Sequence, residues 1–343
     1  MTTSSGFQLI DSFGRKIDYL RVSLTDRCNF RCVYCVPPQG MPFMQPCEYL
    51  ATTEIVRVIR IFAEMGIRRV RLTGGEPLLR EDILEIVRAI KKIGLIEDLS
   101  VTTNGSLLEP LLAPLKVAGL DRLNISLDSL DPQRFQSITL SDSYHKVYRA
   151  TEVALAEGFP VKLNMVVLKG LSEVEIISFV KLAQRYPLEV RFLEFMPLCG
   201  EGWDPDFVLP ISEVKKVVFR EFEMTADKPK SGQVAQTFTL SGTGGKVGFI
   251  ASLTESFCDR CSRIRLTANG RIRPCLFSDV EVSLWNLLRD EASDDEIKES
   301  IKLAVAMKPA GNAYRDRPFD PGSDCELLRQ ALPNEAVMRR IGG

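Results

Sequence analysis

The sequence predicts an α/β fold, a partial (β/α)6 barrel followed by a C-terminal extension. Two observations carry this. Between about residues 18 and 195, short apolar runs alternate with helix-length amphipathic segments six times. That is the pattern of a parallel sheet, and one of this length curls towards a barrel. The chemically unusual residues, namely cysteines, Gly-Gly, Asn-Gly and acidic or hydroxyl residues, fall where the apolar runs end. In such barrels, sites are built at those strand ends.

Each element has its own signal. Tyr19–Leu24 alternates as a strand, and Cys28, Cys32 and Cys35 follow it. Thr53–Met65 has helical periodicity and stops at Gly66. Arg69–Thr73 is a strand, then come Gly74-Gly75-Glu76-Pro77 and a helix over Asp82–Ile93 ending at Gly94. Leu99–Thr103 is the next strand, followed by Asn104-Gly105 and a helix interrupted by Pro110 and Pro114. Arg122–Leu127 leads into Asp128-Ser129 and helices around Pro132–Ile138 and Lys146–Glu157. Val161–Leu168 and Leu188–Glu194 enclose a helix over Glu173–Arg185. After about residue 230 the texture changes to short strands, Val234–Leu240 and Lys246–Ile250, then Arg263–Thr267 and Arg271–Pro274 around Asn269-Gly270, a hairpin signal. Ser293 and Glu296 form a capping-box pattern that opens a helix to about Met307. The organisation expected is therefore a barrel over residues 1–230, a cysteine-bearing region over 231–307 and an extended tail over 308–343.

Composition narrows the function. The 343 residues are 45% apolar, enough for a real core. A balance of 44 basic and 45 acidic side chains argues against a nucleic-acid partner. No apolar run approaches the roughly 20 residues of a membrane span. The first six residues carry neither a basic start nor an apolar stretch, so a cytoplasmic protein is expected. The one histidine, His145, rules out two-histidine zinc hydrolases and leaves a Ser-His-Asp enzyme a single possible base.

Six of the nine cysteines form two triplets. Cys28, Cys32 and Cys35 make C-x3-C-x2-C, and Cys258, Cys261 and Cys275 make C-x2-C-x13-C; Cys47, Cys199 and Cys325 stand apart. Clustered cysteines without secretory signals point to metal before disulfides. A structural zinc site closes its tetrahedron with four ligands. Each triplet is one short, and His145 can complete only one of them. Two iron–sulfur clusters, each with an open iron, fit the count. One shared zinc site using four of the six is the competing reading.

Basic residues supply a second signal. Arg69 and Arg71 lie two apart on one strand and face the same side, as do Arg263 and Arg265, and Arg271 and Arg273. Arg21, Lys162 and Arg191 also fall within strands. Strands of a buried parallel sheet normally read Val, Ile and Leu, and a buried charge is costly without a partner. For Arg71, Lys162 and Arg191 the interior placement implies a multiply charged anion such as a phosphate chain. For Arg271 and Arg273, pairing with acidic groups or solvent is an equal alternative.

Taken together, Cys28–Cys35, Gly74-Gly75-Glu76-Pro77, Thr102-Thr103-Asn104-Gly105 and Ser126-Leu127-Asp128 resemble the radical S-adenosylmethionine enzymes. Cys258, Cys261 and Cys275, the Arg263-Ile264-Arg265 segment and the terminal Gly342-Gly343 narrow the resemblance to the GTP 3′,8-cyclase family of molybdenum cofactor biosynthesis. It extends from Asp11-Ser12-Phe13-Gly14-Arg15 to the last residue. The resemblance implies two four-iron–four-sulfur clusters. One would sit on Cys28, Cys32 and Cys35, its open iron chelating S-adenosylmethionine, and the other on Cys258, Cys261 and Cys275, its open iron facing the guanine. It implies S-adenosylmethionine contacts at Tyr34, Gly75, Ser126 and Met196, and GTP contacts at Arg21, Arg71, Thr102, Lys162, Arg263 and Arg265. One-electron cleavage of S-adenosylmethionine would give a 5′-deoxyadenosyl radical that takes the ribose 3′ hydrogen, after which C3′ bonds to guanine C8. No protein acid or base is needed, in keeping with the single histidine. The resemblance also implies an electron-donor protein, allows a homodimer, and places Gly342-Gly343 in the active site. Two alternatives remain at this level: another radical S-adenosylmethionine enzyme with an auxiliary cluster acting on a peptide or sugar, and a non-catalytic zinc-binding protein.

Overall fold

The computed structural model describes residues 7–36, 42–198, 204–229 and 232–312. A small hairpin of β1 (Leu9–Ile10) and β2 (Lys16–Ile17) precedes the main sheet. Six β/α units follow: β3 (Tyr19–Ser23) with α1 (Thr52–Glu64), β4 (Arg69–Thr73) with α2 (Ile83–Lys92), and β5 (Asp98–Thr103) with α3 (Leu112–Ala118). Next come β6 (Arg122–Ser126) with α4 (Pro132–Thr139) and α5 (Tyr144–Ala156), β7 (Val161–Val167) with α6 (Ile176–Arg185), and β8 (Glu189–Glu194) with α7 (Ile211–Glu221). The later chain forms β9 (Met224–Ala226), β10 (Gln236–Leu240), β11 (Lys246–Ile250), β12 (Arg263–Leu266), β13 (Arg271–Arg273), β14 (Val282–Ser283), α8 (Trp285–Arg289) and α9 (Asp294–Ala306). The expected strands and helices form with small shifts at their ends. The capping box at Ser293 is made in both directions, and β12 and β13 pair antiparallel across the Asn269-Gly270 turn. The β1–β2 hairpin, α7, α8, β9 and β14 have no counterpart in the sequence reading.

Among the described residues the remaining strands make one twelve-stranded sheet in the order β14-β13-β12-β3-β4-β5-β6-β7-β8-β11-β10-β9. β3 to β8 are parallel neighbours in chain order. The C-terminal residues then return to both edges. β11 adds in parallel to β8, and β12 adds in parallel to β3. The parallel core thus has eight strands, six from β/α units and two from the extension.

The parallel strands alternate, which fixes what each face does. Outward residues such as Leu20, Val70, Leu99, Leu123, Leu163 and Val190 are wholly buried. They pack under helices whose apolar positions recur at helical spacing, as Ile55, Val58, Ile59 and Phe62 do on α1. Each such side chain contributes about 1.5–3 kcal/mol of hydrophobic stabilisation. Many inward positions are polar instead: Arg21, Arg71, Thr102, Lys162, Arg191 and Arg265 all border one interior cavity. The core is the layer between sheet and helices, so the concave side is left free for a site.

Candidate functional site

The cavity has a volume of about 560 Å³. All six triplet cysteines line it, as do Tyr34, Gly75, Ser126 and Met196, and Arg21, Arg71, Thr102, Lys162, Arg263 and Arg265. His145 lies on α5 and is not among the lining residues.

The first cysteine loop leaves β3. The Cys35 and Val36 amides donate to the Cys32 carbonyl at 2.9 and 3.1 Å, which turns the loop back on itself. The Gly-Gly-Glu segment after β4 lies against this loop. The Gly75 amide donates to Thr25 O at 2.7 Å and the Glu76 amide to Arg27 O at 2.8 Å. Gly74 has φ of 144°, and a Cβ on either glycine would strike a backbone carbonyl, that of Thr25 or of Arg27. Only glycine permits this approach. The buried Glu76 carboxylate accepts from Leu78 N (3.0 Å), Thr103 Oγ1 (2.8 Å) and Asn104 N (2.7 Å), joining the loops after β4 and β5. Burial pushes it up to about 7 despite these donors. Tyr34 Oη donates to Asp128 Oδ2 at 2.6 Å, and Asp128 Oδ1 accepts from Val166 N at 3.0 Å. Burial raises Asp128 to about 6. Burial also raises the Cys28 and Cys32 thiols, Asp128 adding to the effect at Cys32.

The second triplet sits across the cavity. The Cys261 amide donates to Cys258 O at 3.1 Å, and Cys275 follows β13. Its electrostatics are the reverse of the first. Against the upward push of burial, Arg263 and then Lys308 draw Cys261 down to about 6. Among the described residues no three His, Cys, Asp or Glu side chains converge on a single metal ion. A four-iron cube takes its thiolates through different irons, so it does not require them to meet at one point.

Between the triplets runs a row of cations. Register places Arg265 beside Arg21, and Arg21 beside Arg71, on three adjacent strands. Nε of Arg21, Arg71, Arg263 and Arg265, Nη2 of Arg265 and the Thr102 hydroxyl are buried with no hydrogen-bond partner. Burial, reinforced by neighbouring arginines, lowers Arg21 to about 9 and pulls Arg265 in the same direction; burial also lowers Arg71. Tyr19 lies beneath the row, its ring 5.0 Å from the Arg69 guanidinium and 5.5 Å from that of Arg71. Its buried hydroxyl is likewise unpartnered, and against burial Arg71 and Arg21 draw it down to about 8.

The facing wall is neutralised from within. Glu189 binds Lys162 Nζ and Arg191 Nε, each at 2.5 Å. Arg191 and Lys162 overcome burial and hold Glu189 at about 2, while burial and Arg191 lower Lys162 to about 8. Arg122 pairs with Asp98 at 2.6 Å. Arg271 and Arg273 resolve towards acidic partners: Arg271 is exposed and 3.4 Å from Glu281, and buried Arg273 is 3.3 Å from Glu281.

Sequence reasoning missed Glu189, Tyr19, Arg122 and Lys308. Glu189 had a usable signal, because it lies two residues before Arg191 on the same face. Lys308 had none, since it follows α9 in a stretch without periodicity. Cys47 is exposed. Cys199, Cys325 and the Arg339-Arg340-Ile341-Gly342-Gly343 end lie outside the described residues.

The donors present fit the groups that the cysteines and arginines suggest. Six thiols in two incomplete sets suit iron–sulfur clusters, and orphaned guanidinium nitrogens between them suit a multiply charged anion. Comparison with known proteins points the same way. The Radical SAM superfamily profile matches residues 22–183, and the Molybdenum Cofactor Synthesis C profile matches residues 188–314. The chain is 44% identical over 306 residues to GTP 3′,8-cyclase of Syntrophomonas wolfei, covering 88% of this chain and 94% of that one. It is 41% identical over 307 residues to molybdenum cofactor biosynthesis protein 1 of Homo sapiens, covering 89% of this chain and 48% of the human one. Among solved structures it resembles SuiB of Streptococcus suis bound to S-adenosylmethionine. The TM-score is 0.58 at 15% identity, over 84% of this chain and 66% of that one, a likeness of fold.

Proposed function

The chain belongs to the GTP 3′,8-cyclase family of radical S-adenosylmethionine enzymes, and on that premise we propose the division of labour within its cavity. The reaction is conversion of GTP to (8S)-3′,8-cyclo-7,8-dihydroguanosine 5′-triphosphate in molybdenum cofactor biosynthesis, a carbon–carbon bond-forming lyase step. Cys28, Cys32 and Cys35 would hold one [4Fe–4S] cluster, and Cys258, Cys261 and Cys275 the other. Bound there and reduced, the first cluster would supply the one-electron chemistry that cleaves S-adenosylmethionine.

The chain's own residues bind, orient and shield. The Gly74–Gly75 backbone lies against the segment that leads into the cysteine loop and would receive the cofactor's amino-acid end there. Tyr34 is held rigid by Asp128, and Ser126 and Met196 complete that end of the cavity. Arg21, Arg71 and Arg265 take the triphosphate, with Arg263 and Thr102 beside them and Lys162 from the facing wall. Such positioning is worth several orders of magnitude in rate. The observation that carries this reading is the row of arginines whose buried Nε atoms have no hydrogen-bond partner, lying between two incomplete thiol sets in one cavity. A radical enzyme acting on a peptide or neutral sugar would have no use for that row.

The test is anaerobic reconstitution, iron and sulfide analysis, and incubation with GTP and S-adenosylmethionine. Product from GTP is expected, and a colourless, iron-free protein would overturn the reading. A reducing partner protein, a cytoplasmic setting and a homodimer belong to the same proposal. Among the described residues no helix is long and apolar enough to cross a membrane.

A further inference from the structure

Two buried cations outside the sixteen cavity residues assigned above make contacts that the reaction does not explain. Arg15 is 9% exposed and forms an ion pair with Asp11 at 2.6 Å. Asp11 Oδ1 also accepts the Phe13 and Arg15 amides, both at 2.9 Å, so the turn between β1 and β2 is built to present this guanidinium. Its remaining nitrogens go to three backbone carbonyls. Nη1 donates to Cys258 O and Ala310 O, both at 2.8 Å, and Nη2 donates to Pro309 O at 2.6 Å. Lys308 is 3% exposed, and no carboxylate pairs with it among the described residues. Its ammonium donates to Arg263 O at 2.8 Å and Pro274 O at 2.7 Å.

These carbonyls are not scattered. One belongs to Cys258, one lies two residues after Cys261, and one immediately precedes Cys275. The two cations therefore hold backbone at or beside every thiol of the second triplet. They are joined through Pro309 and Ala310, which follow Lys308 directly and are gripped by Arg15. A buried ammonium without a carboxylate is costly unless its donors are satisfied and negative charge stands nearby. Lys308 borders the same cavity as Cys258, Cys261 and Cys275, whose thiolates would supply that charge. Three separate chain segments, 258–263, 274–275 and 308–310, have no strand ladder between them at these points. The cations take its place.

We propose that Arg15 and Lys308 are positioning residues for the second iron–sulfur cluster, an outer shell that sets the spacing of Cys258, Cys261 and Cys275 before the cluster arrives. The proposal rests on the reading of those cysteines as ligands. Outer-shell groups of this kind orient ligands without touching the metal.

The test compares Arg15→Met, Lys308→Met and the conservative Lys308→Arg with the native chain and with Cys258→Ala. After anaerobic reconstitution the native chain should carry about eight irons and each Met variant about four, like Cys258→Ala, with the first cluster's S-adenosylmethionine cleavage retained. Lys308→Arg should recover part of the second cluster. In the cluster-free proteins, hydrogen exchange across residues 258–263 and 273–276 should quicken about tenfold or more in the Met variants, because charge-assisted bonds are lost. Exchange across 28–36 should not change. A full iron complement together with native exchange in both Met variants would overturn the proposal. So would equal loss of both clusters with uniformly faster exchange, which marks a general folding role. If the native chain itself takes up only about four irons, the ligand reading fails, and the exchange measurement still decides whether these two cations order the loops.

Discussion

Arg71 and Lys162 are both cations on inward strand positions, yet their surroundings differ, and so do the expected effects of changing them. Arg71 has no carboxylate partner among the described residues and its Nε is orphaned. Arg71→Ala should therefore remove a charge-assisted phosphate contact outright, worth about 1.5–3 kcal/mol or roughly ten- to a hundredfold in GTP affinity by calorimetry. Arg71→Lys should recover only part, since the planar fork is gone; unchanged affinity in Arg71→Ala would place the triphosphate elsewhere. Lys162 shares Glu189 with Arg191. Glu189→Gln should free both cations and tighten triphosphate binding while lowering thermal stability, as buried like charges lose their counterion. A weaker GTP complex in that variant would count against the assignment of this wall. Lys162 also sets a pH dependence. Its folded value of about 8 means the charge is present below that pH and lost above it. GTP affinity should fall as pH rises through about 8, with Glu189, Arg191 and Arg122 as the charged neighbours, and Lys162→Arg should flatten the profile. The inward placement of Arg71 and Lys162 was legible because charge is out of place in a parallel strand. Glu189 is legible only when its place two residues before Arg191 on the same face is weighed, since an acid at the start of a strand otherwise reads as solvent-facing.

The loops after β4 and β5 act as one element because Glu76 ties them together. Its two oxygens take three donors, two of them from the Thr103-Asn104 turn. Gly75→Ala should force the 74–76 segment away from Thr25–Arg27 and abolish S-adenosylmethionine binding with only a moderate drop in melting temperature. Retained binding would show that the approach of these loops is dispensable. The two cysteine loops should likewise separate in function. Cys32→Ala should end S-adenosylmethionine cleavage, whereas Cys261→Ala should leave uncoupled cleavage and lose GTP conversion. Native GTP turnover by Cys261→Ala would remove the second triplet from the substrate site. Helices and strands through β8 could be traced from periodicity and glycine stops alone. The β1–β2 hairpin could not, because strands of two residues have no period to detect. That hairpin nonetheless delivers Arg15 to Cys258.

The change of texture near residue 230 suggests a boundary, but the sheet does not divide there. β11 pairs five residues with β8, and β12 pairs four with β3. Such pairing between distant segments leaves no local trace in a sequence, which is why the six units were evident and the two added strands' destinations were not. The consequence can be weighed. Val247, Phe249, Ile264 and Leu266 on those strands are at most 1% exposed. At about 1.5–3 kcal/mol each, removing them costs roughly 6–12 kcal/mol. That is comparable to the whole stability of an ordinary domain, about 5–15 kcal/mol. Removal would also uncover the ladder edges of β3 and β8, and bare parallel edges invite association with other chains. A fragment of residues 1–230 should therefore fail to fold as a monomer although it contains every β/α unit and the whole first cysteine loop. Light scattering and thermal melts of that fragment beside the full chain would decide the matter. A monodisperse fragment with a cooperative melt near that of the full chain would mean that the six units are self-sufficient. The later strands would then serve only to bring the second cysteine set and the Arg263–Arg265 pair to the cavity.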